Sequence, residues 1–285
     1  MKNRGRKTVW AALAAGAALA FAAGCAPGEE NARPLPSTGE QGAAESRPAG
    51  EAEERLTLTI VDGAQTGELV LAGEGAGEVY TLTLGDAPVY LDGQPAEASL
   101  LEDGMTVEIA FSGGITETWP AGLEEVNAVS VYSRGTEQNH GGGFYDLCGF
   151  YLAVMEDLWN TDEGLNSGTE YISVDLSQAP GGLTEGEKAA AAWVFADAHG
   201  AKPLALSRQE LTDQGYCEPY EWRDGILFSI SDGSGEGEAC SLPTLRFHAE
   251  KWRSGTGAYI FYGCSAVWPE LGTWSGYSVE SHMIA

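Results

Sequence analysis

The chain has 285 residues, of which 42 are Asp or Glu and 15 are Lys or Arg, so its formal net charge at pH 7 is −27. Hydrophobic residues make up 43% of the chain, which is typical of globular proteins and excludes a wholly disordered polypeptide. Because affinity for polyphosphate backbones comes largely from Lys and Arg, the charge also argues against a nucleic-acid partner.

The N-terminal region has the pattern of an export signal. An uncharged, Ala-rich run over residues 9–23 follows four basic residues, Lys2, Arg4, Arg6 and Lys7. A membrane-spanning helix needs about 20 apolar residues, and this run is shorter. Its length is typical of the apolar core of a signal peptide.

The run ends in Ala22-Ala23-Gly24-Cys25, which resembles the lipobox of bacterial lipoproteins, with Ala22 where that family usually has Leu. The resemblance implies that residues 1–24 are removed as a signal peptide and that diacylglycerol is joined to the Cys25 thiol. We therefore expect a lipid-anchored protein on the extracytoplasmic face of the cell membrane; an ordinary secretory signal is the alternative.

Loss of residues 1–24 would remove four bases and no acids and leave a net charge of −31, which anionic headgroups repel. The lipid must therefore provide the attachment.

Residues 25–54 are predicted to form a disordered tether. They contain four prolines, no aromatic residue and one large aliphatic side chain, Leu35. Such a composition buries too little apolar surface to offset the entropy of ordering. An ordered, docked arm is the alternative.

Short β-type runs with glycine-rich turns predict a small antiparallel β domain over residues 55–134. Thr57 and Thr59 alternate with Leu58 and Ile60, which indicates strands with one buried face. We expect strands at 56–61, 67–72, 79–84, 89–91, 105–111, 115–119 and 126–132, closed or nearly closed into a barrel.

Parts of this domain resemble a known module. Tyr90-Leu91-Asp92-Gly93, the stretch 101–109 and Thr118-Trp119-Pro120 are similar to an OB-like module of uncharacterised lipoproteins from Gram-positive-type bacteria. The resemblance implies an OB-like β-barrel in about a quarter of the chain. OB folds bind oligosaccharides or nucleic acids in some families and only support the structure in others.

Residues 143–285 are predicted to form a second, α+β domain. An apolar stripe over 144–159 has helical spacing, and Thr184 with Glu187 and Ser207 with Glu210 have the spacing of capping boxes. Strands at 222–231, 244–252, 258–268 and 274–282 follow, so we expect helices on one face of an antiparallel sheet. This order of elements resembles the NTF2-like and cystatin-like folds.

The chain contains no common catalytic or metal-binding motif, so we expect neither a catalytic residue, nor a metal, nor a cofactor. Two weaker alternatives involve cations. Oxygen donors that could hold Ca²⁺ cluster after the first helix, although a solvated helix end explains them better: Asp157, Asn160, Asp162, Glu163 and Asn166. His248 and His282 could also meet on neighbouring strands.

Four cysteines follow Cys25 in a compartment that permits oxidation. Cys217 and Cys240 flank a predicted strand and its glycine-rich loop and form a candidate disulfide, which leaves Cys148 and Cys264 as the remaining pair. Other pairings, or free thiols throughout, stay open.

A cationic and aromatic cluster is the candidate ligand site, and it consists of Arg246, Lys251, Trp252 and Arg253. On an acidic surface, such side chains could bind an anionic or sugar ligand by bidentate hydrogen bonds and stacking. The alternative is that they hold a hairpin in place. The stretch 251–259 resembles the same uncharacterised lipoproteins.

These observations predict a lipid-anchored surface protein that binds a ligand, an envelope protein or a glycan without catalysis. A regulatory domain acting on an envelope enzyme would leave no mark in the sequence. The alternative class is an envelope-associated hydrolase that uses carboxylates. Its candidate catalytic groups are the pair Asp162 and Glu163, or Glu250 beside His248.

Overall fold

The structure is a computed structural model and describes residues 53–132, 146–235, 244–267 and 275–285. Residues Ala49–Ala285 belong to one compact unit. Cys25, the predicted signal peptide, nearly all of the predicted tether and Cys240 lie outside the described residues.

The first half of the described chain folds into one mixed sheet. Its strands are β1 (Glu54–Asp62), β2 (Glu68–Ala72), β3 (Val79–Thr83), β4 (Val89–Leu91), β5 (Gln94–Ala96), β6 (Thr106–Phe111), β7 (Ala121–Gly122) and β8 (Val126–Val131). Their order is β5-β4-β8-β6-β1-β2-β3-β7. The β3–β7 and β4–β8 pairs are parallel, and the other pairs are antiparallel.

This sheet does not close into the predicted barrel. Its path ends at β5 on one side and at the two-residue strand β7 on the other. The strand predicted at 115–119 is replaced by a single bridge between Ile115 and Leu123, because the Gly113-Gly114 pair and Pro120 interrupt pairing on both sides. The predicted alternation is confirmed on β1, where Leu58 and Ile60 are buried in the core of the sheet.

The second half is α+β, as predicted. Its helices are α1 (Leu147–Trp159), α2 (Glu185–Ala198) and α3 (Arg208–Asp213). Its strands are β9 (Tyr171–Gln178), β10 (Lys202–Leu204), β11 (Gly225–Asp232), β12 (Thr244–Ser254), β13 (Gly257–Val267), β14 (Ser275–Ser278) and β15 (Ser281–Ile284). The order is β10-β9-β11-β12-β13-β14, and β15 also pairs with β13.

The second sheet is mixed rather than antiparallel. Its β11–β12–β13 meander is antiparallel, as predicted, but β9 pairs in parallel with both β10 and β11. Helices α1 and α2 pack on one face of the sheet around residues such as Phe228 and Phe247. Helix α3 lies on the opposite face, where Leu211 packs against Trp222 and Trp252.

Both predicted capping boxes form. The Thr184 hydroxyl accepts a hydrogen bond from the Glu187 backbone N–H at 3.1 Å, and the Glu187 carboxylate accepts one from the Thr184 N–H at 2.7 Å. Ser207 and Glu210 make the same reciprocal bonds at the start of α3. Each box satisfies N–H groups that a helix N-terminus otherwise leaves without partners.

Helix α2 also packs against the first sheet. Val61, Val70, Ala72 and Val79 belong to the same core as α1 and α2. The N-terminus of α2 contacts the glycine-rich turn between β2 and β3, because the Thr184 hydroxyl donates to the Gly73 carbonyl at 2.9 Å. Helix α1 also contacts β1, so both helices join the two sheets.

Candidate functional site

Two residues of the predicted ligand cluster are buried. Lys251 and Trp252 are adjacent on β12, and their exposed fractions are 0% and 4%. Successive side chains on a strand point to opposite faces, so Lys251 faces α1 whereas Trp252 packs under α3. These two side chains therefore cannot meet one ligand on the surface, which differs from the exposed cluster that we expected.

The Lys251 ammonium is enclosed by oxygen atoms at the end of α1. Its Nζ donates hydrogen bonds to the carbonyl oxygens of Trp159 at 3.3 Å, of Thr161, and of Asp162 at 3.2 Å. A fourth bond, of 3.1 Å, goes to Asn166 Oδ1. We call this arrangement the ammonium cage.

The ammonium cage uses part of the oxygen-rich segment 157–166, which is a weaker sequence-based candidate for binding Ca²⁺. Oxygens from this segment surround the ammonium of Lys251. Burial lowers the pKa of Lys251 to about 8, while the negative charges of Asp162 and Glu163 act in the opposite direction. At neutral pH the side chain is therefore mainly protonated and supplies the cation itself.

Arg253 holds the same segment from its other end. Its Nη1 donates to the carbonyl oxygens of Leu165 at 2.7 Å and Ser167 at 2.6 Å, and its Nη2 donates to the Arg223 carbonyl at 2.5 Å. Arg246 is exposed on β12. The structural alternative that we considered for this hairpin therefore accounts for Lys251, Trp252 and Arg253.

A groove lies on the α3 face of the second sheet, in the part that α3 and its flanking loops do not cover. Its volume is about 300 Å³. It crosses β11, β12, β13 and β15 and is lined by Ser229, Ser231, His248, Glu250, Ile260, Tyr262 and Met283. We call it the open-face groove.

Strand register places these side chains in rows. Ser229 lies opposite Glu250, Glu250 opposite Ile260, and Ile260 opposite Met283. Paired residues of neighbouring strands point to the same face. The groove thus has a polar half on β11 and β12 and a more apolar half on β13 and β15.

The Glu250 carboxylate is the chemically most distinctive group of the groove. It is half-buried, and it forms no hydrogen bond or ion pair with the residues that the structure describes. Burial raises the pKa of Glu250, and the positive charge of Arg208 opposes this rise. A partly desolvated carboxylate without donors is unfavourable unless a ligand or water supplies them.

His248 is fixed at the rim of the groove. Its ring stacks on Tyr262 with centroids 4.2 Å apart and an interplanar angle of 8°. The backbone N–H of Gly263 donates to His248 Nδ1 at 3.1 Å, so in the neutral ring the proton is on Nε2.

The alternative pairing of His248 with His282 does not form. The two residues lie on β12 and β15, which pair with opposite edges of β13. His282 Nδ1 lies 3.1 Å from the Tyr259 hydroxyl, on the other face of the sheet. Within the described ranges, no group of three or more His, Cys, Asp or Glu side chains is placed to hold a metal ion.

The two buried cysteines are free thiols. Cys148 and Cys264 are buried and do not pair with each other; their sulfur atoms contact the carbonyl oxygens of Glu187 and Phe261, respectively. Burial raises the pKa of both thiols, that of Cys264 to about 11, and this makes them poor nucleophiles. Cys217 Sγ lies 3.5 Å from the Thr212 hydroxyl, and the pairing of Cys217 with Cys240 stays a prediction.

The paired-carboxylate alternative has two candidate locations. Asp162 and Glu163 flank the ammonium cage. Glu250 and His248 do share the open-face groove, but among the described lining residues Glu250 is the only carboxylate. Sequence reasoning missed Ser229, Ser231, Ile260, Tyr262 and Met283, because only the strand register reveals that they share one surface.

Comparison with protein-family models, with curated proteins and with solved structures finds no match for the chain. In the part of the chain that the structure describes, no helix has both the length and the apolar character that crossing a bilayer requires.

Proposed function

We propose that this protein is a lipid-anchored, extracytoplasmic binding module whose open-face groove binds a small ligand with an amine. The observation that carries the proposal is the half-buried Glu250 carboxylate, which lacks a hydrogen-bond donor among the described residues. A ligand ammonium group would supply those donors as charge-assisted hydrogen bonds.

The other walls of the groove fit the rest of such a ligand. Ser229 and Ser231 offer hydroxyl groups on one side of Glu250, and Ile260 and Met283 offer apolar surface on the other. A primary amine on a short apolar chain matches this division. The net charge of −31 that remains after loss of residues 1–24 would also raise the concentration of cations near the protein surface.

Two parts of the proposal rest on sequence patterns. The lipobox at Cys25 supports the anchor and the extracytoplasmic location, where the groove would meet ligands outside the cell. The OB-like resemblance of residues 55–134 stays a prediction. OB folds bind ligands in some families and have a structural role in others, so the resemblance is compatible with a binding protein.

Binding without catalysis is the version that we favour. Glycoside hydrolysis by the common mechanisms needs two carboxyl groups that flank one bond. The described lining of the groove provides Glu250 alone, with His248 as its titratable neighbour. An envelope-associated hydrolase is therefore the weaker alternative.

The proposal is tested with the purified full-length protein in detergent. We expect n-hexylamine to bind more tightly than 1-hexanol, which has the same chain length and no charge, in calorimetric titrations. Glu250→Gln keeps the shape of the side chain and removes its charge, so it should weaken hexylamine binding at least about tenfold and leave hexanol binding unchanged.

Glu218→Gln is the matched control, because Glu218 is exposed and lies outside the groove. It should leave both affinities unchanged. Absence of hexylamine binding to the wild type, or equal losses in the two variants, would reject the amine site.

A further inference from the structure

A second pocket lies between the first sheet and α2 and has a volume of about 380 Å³. Its chemically active lining consists of Glu68, Thr81, Thr83, Thr116, Glu124 and Trp193. We call it the Trp193 pocket. It shares no lining residue with the open-face groove, so any function that it has is independent of that groove.

The pocket exists because α2 covers only one end of the β2–β3 hairpin. Ala72 and Val79 pair at the covered end and belong to the core shared with α2. Glu68 and Thr83 pair at the other end of the same face and are exposed. Trp193 projects from α2 at the boundary and forms one wall.

Several polar groups of the pocket are held in fixed positions. The Thr83 hydroxyl donates to Glu68 Oε2 at 2.7 Å, which leaves Glu68 Oε1 as an acceptor. The Thr116 hydroxyl accepts from the Gly122 N–H at 2.6 Å and lies 2.7 Å from the Thr118 hydroxyl. These bonds reduce the entropy that ordering would cost when a ligand binds.

The Thr81 hydroxyl and the Glu124 carboxylate complete the polar lining. Neither side chain forms a hydrogen bond with the residues that the structure describes. Both groups are therefore available to a ligand with several hydroxyl donors. The Glu124 side chain extends from the segment after β7, so acceptors lie on two sides of the pocket.

We propose that the Trp193 pocket binds a neutral pyranose unit of a glycan. A pyranose has a flat face of C–H groups, which can be buried against an indole ring, and an edge of neighbouring hydroxyls, which can donate to a carboxylate. Trp193 supplies the first surface, and Glu68 and Glu124 supply the second. The same two carboxylates would repel sugars that carry carboxylate or phosphate groups.

This inference goes beyond the proposed function, because it assigns a different ligand to a different site. It is tested by titrating the full-length protein with maltotriose, cellotriose and the trimer of N-acetylglucosamine, and with trigalacturonic acid as an anionic probe. We expect at least one neutral trisaccharide to bind saturably at millimolar concentration and the anionic probe not to bind.

Two variants identify the pocket as the place of binding. Trp193→Ala and Glu68→Gln should each weaken binding of the neutral trisaccharide at least about tenfold. Glu68 is exposed, so the second variant tests the pocket without loss of a packed side chain. Trp119→Ala is the matched control, since Trp119 is 46% exposed and outside the pocket, and it should bind like the wild type.

Failure of all three neutral trisaccharides to bind, or equal weakening by Trp119→Ala, would overturn the inference. Hexylamine binding should be the same in Trp193→Ala and the wild type. Because the two ligands are measured separately, a failed saccharide site and a failed amine site give distinguishable results.

Discussion

A buried ammonium group organises the chain after α1. Lys251 extends from β12 and donates to three backbone carbonyls and to the Asn166 side chain. Carbonyl groups at the end of a helix lack partners within the helix. The Lys251 ammonium donates hydrogen bonds to such carbonyls from a strand distant in the sequence. It thereby fixes the end of α1 to the second sheet.

We predict that Lys251→Met lowers the free energy of unfolding by about 2 kcal/mol. The variant fills a similar volume but removes the ammonium donor of the Thr161 carbonyl and of Asn166 Oδ1, whereas the Trp159 and Asp162 carbonyls keep the Asn166 amide and the Leu165 N–H as donors. Urea denaturation followed by circular dichroism measures this change.

Lys202→Met is the control for that measurement. Lys202 is an exposed lysine that pairs with Glu170 on the surface, and exposed ion pairs contribute about 0–1 kcal/mol. A Lys251→Met effect no larger than that of Lys202→Met would mean that the cage contributes little to stability.

At the scale of secondary-structure elements, the start of α1 combines a favourable cap with an unfavourable charge. Asp146 Oδ1 accepts a hydrogen bond from the Gly149 N–H at 2.7 Å. The pKa of Asp146 is raised to about 6, mainly by burial and in smaller part by the negative charges of Asp103 and Asp62, while the Gly149 bond acts in the opposite direction.

We predict that Asp146→Asn stabilises the protein above pH 6. A carboxyl group whose pKa is higher in the folded than in the unfolded state destabilises the fold when it is ionised, and the penalty disappears as pH falls from about 6 to about 4. Asn keeps the capping oxygen and carries no charge. The free energy of unfolding of the variant should therefore exceed that of the wild type by about 2 kcal/mol at pH 7.5. This difference should vanish near pH 4.

Urea denaturation of both proteins from pH 4 to pH 8 measures this difference. Asp224→Asn, at an exposed carboxylate on the surface, should show no comparable pH dependence. A constant difference between Asp146→Asn and the wild type across the range would contradict the assigned cause.

Local signals predicted some elements correctly. The capping boxes at Thr184 and Ser207 form because their partners are three residues away in the sequence. Strand β9 was missed, since its neighbours β10 and β11 pair with it in parallel from distant positions. Both sites share this difficulty: the open-face groove needs the register of four strands, and the Trp193 pocket needs α2 to dock beside β2 and β3.

At the scale of the whole molecule, α1 and α2 connect two sheets that the sequence suggested as separate domains. On β2 the side chains of one face belong to the core of the first sheet, whereas Val70 and Ala72 belong to the core shared with α2. An alternating pattern shows how many faces are buried but not which element buries them. The contact between Gly73 and Thr184 is invisible in the sequence for the same reason.

The acidic charge makes the proposed lipid anchor testable. We predict that Cys25→Ser prevents incorporation of labelled fatty acid and causes release of the protein from the membrane or its mislocalisation. Metabolic labelling and fractionation of producing cells measure both effects. Cys217→Ser, which alters a thiol in the folded part, should remain labelled and in the membrane fraction.

The charge adds a salt dependence to this prediction. A body of charge −31 is repelled by anionic headgroups, so a version of residues 26–285 without lipid should not bind anionic vesicles. Because salt screens repulsion, lowering the ionic strength should not create binding, whereas a peripheral protein held by basic residues would bind more tightly. Fatty acid on the Cys25→Ser protein, or vesicle binding by the lipid-free body, would show that attachment does not depend on the Cys25 lipid.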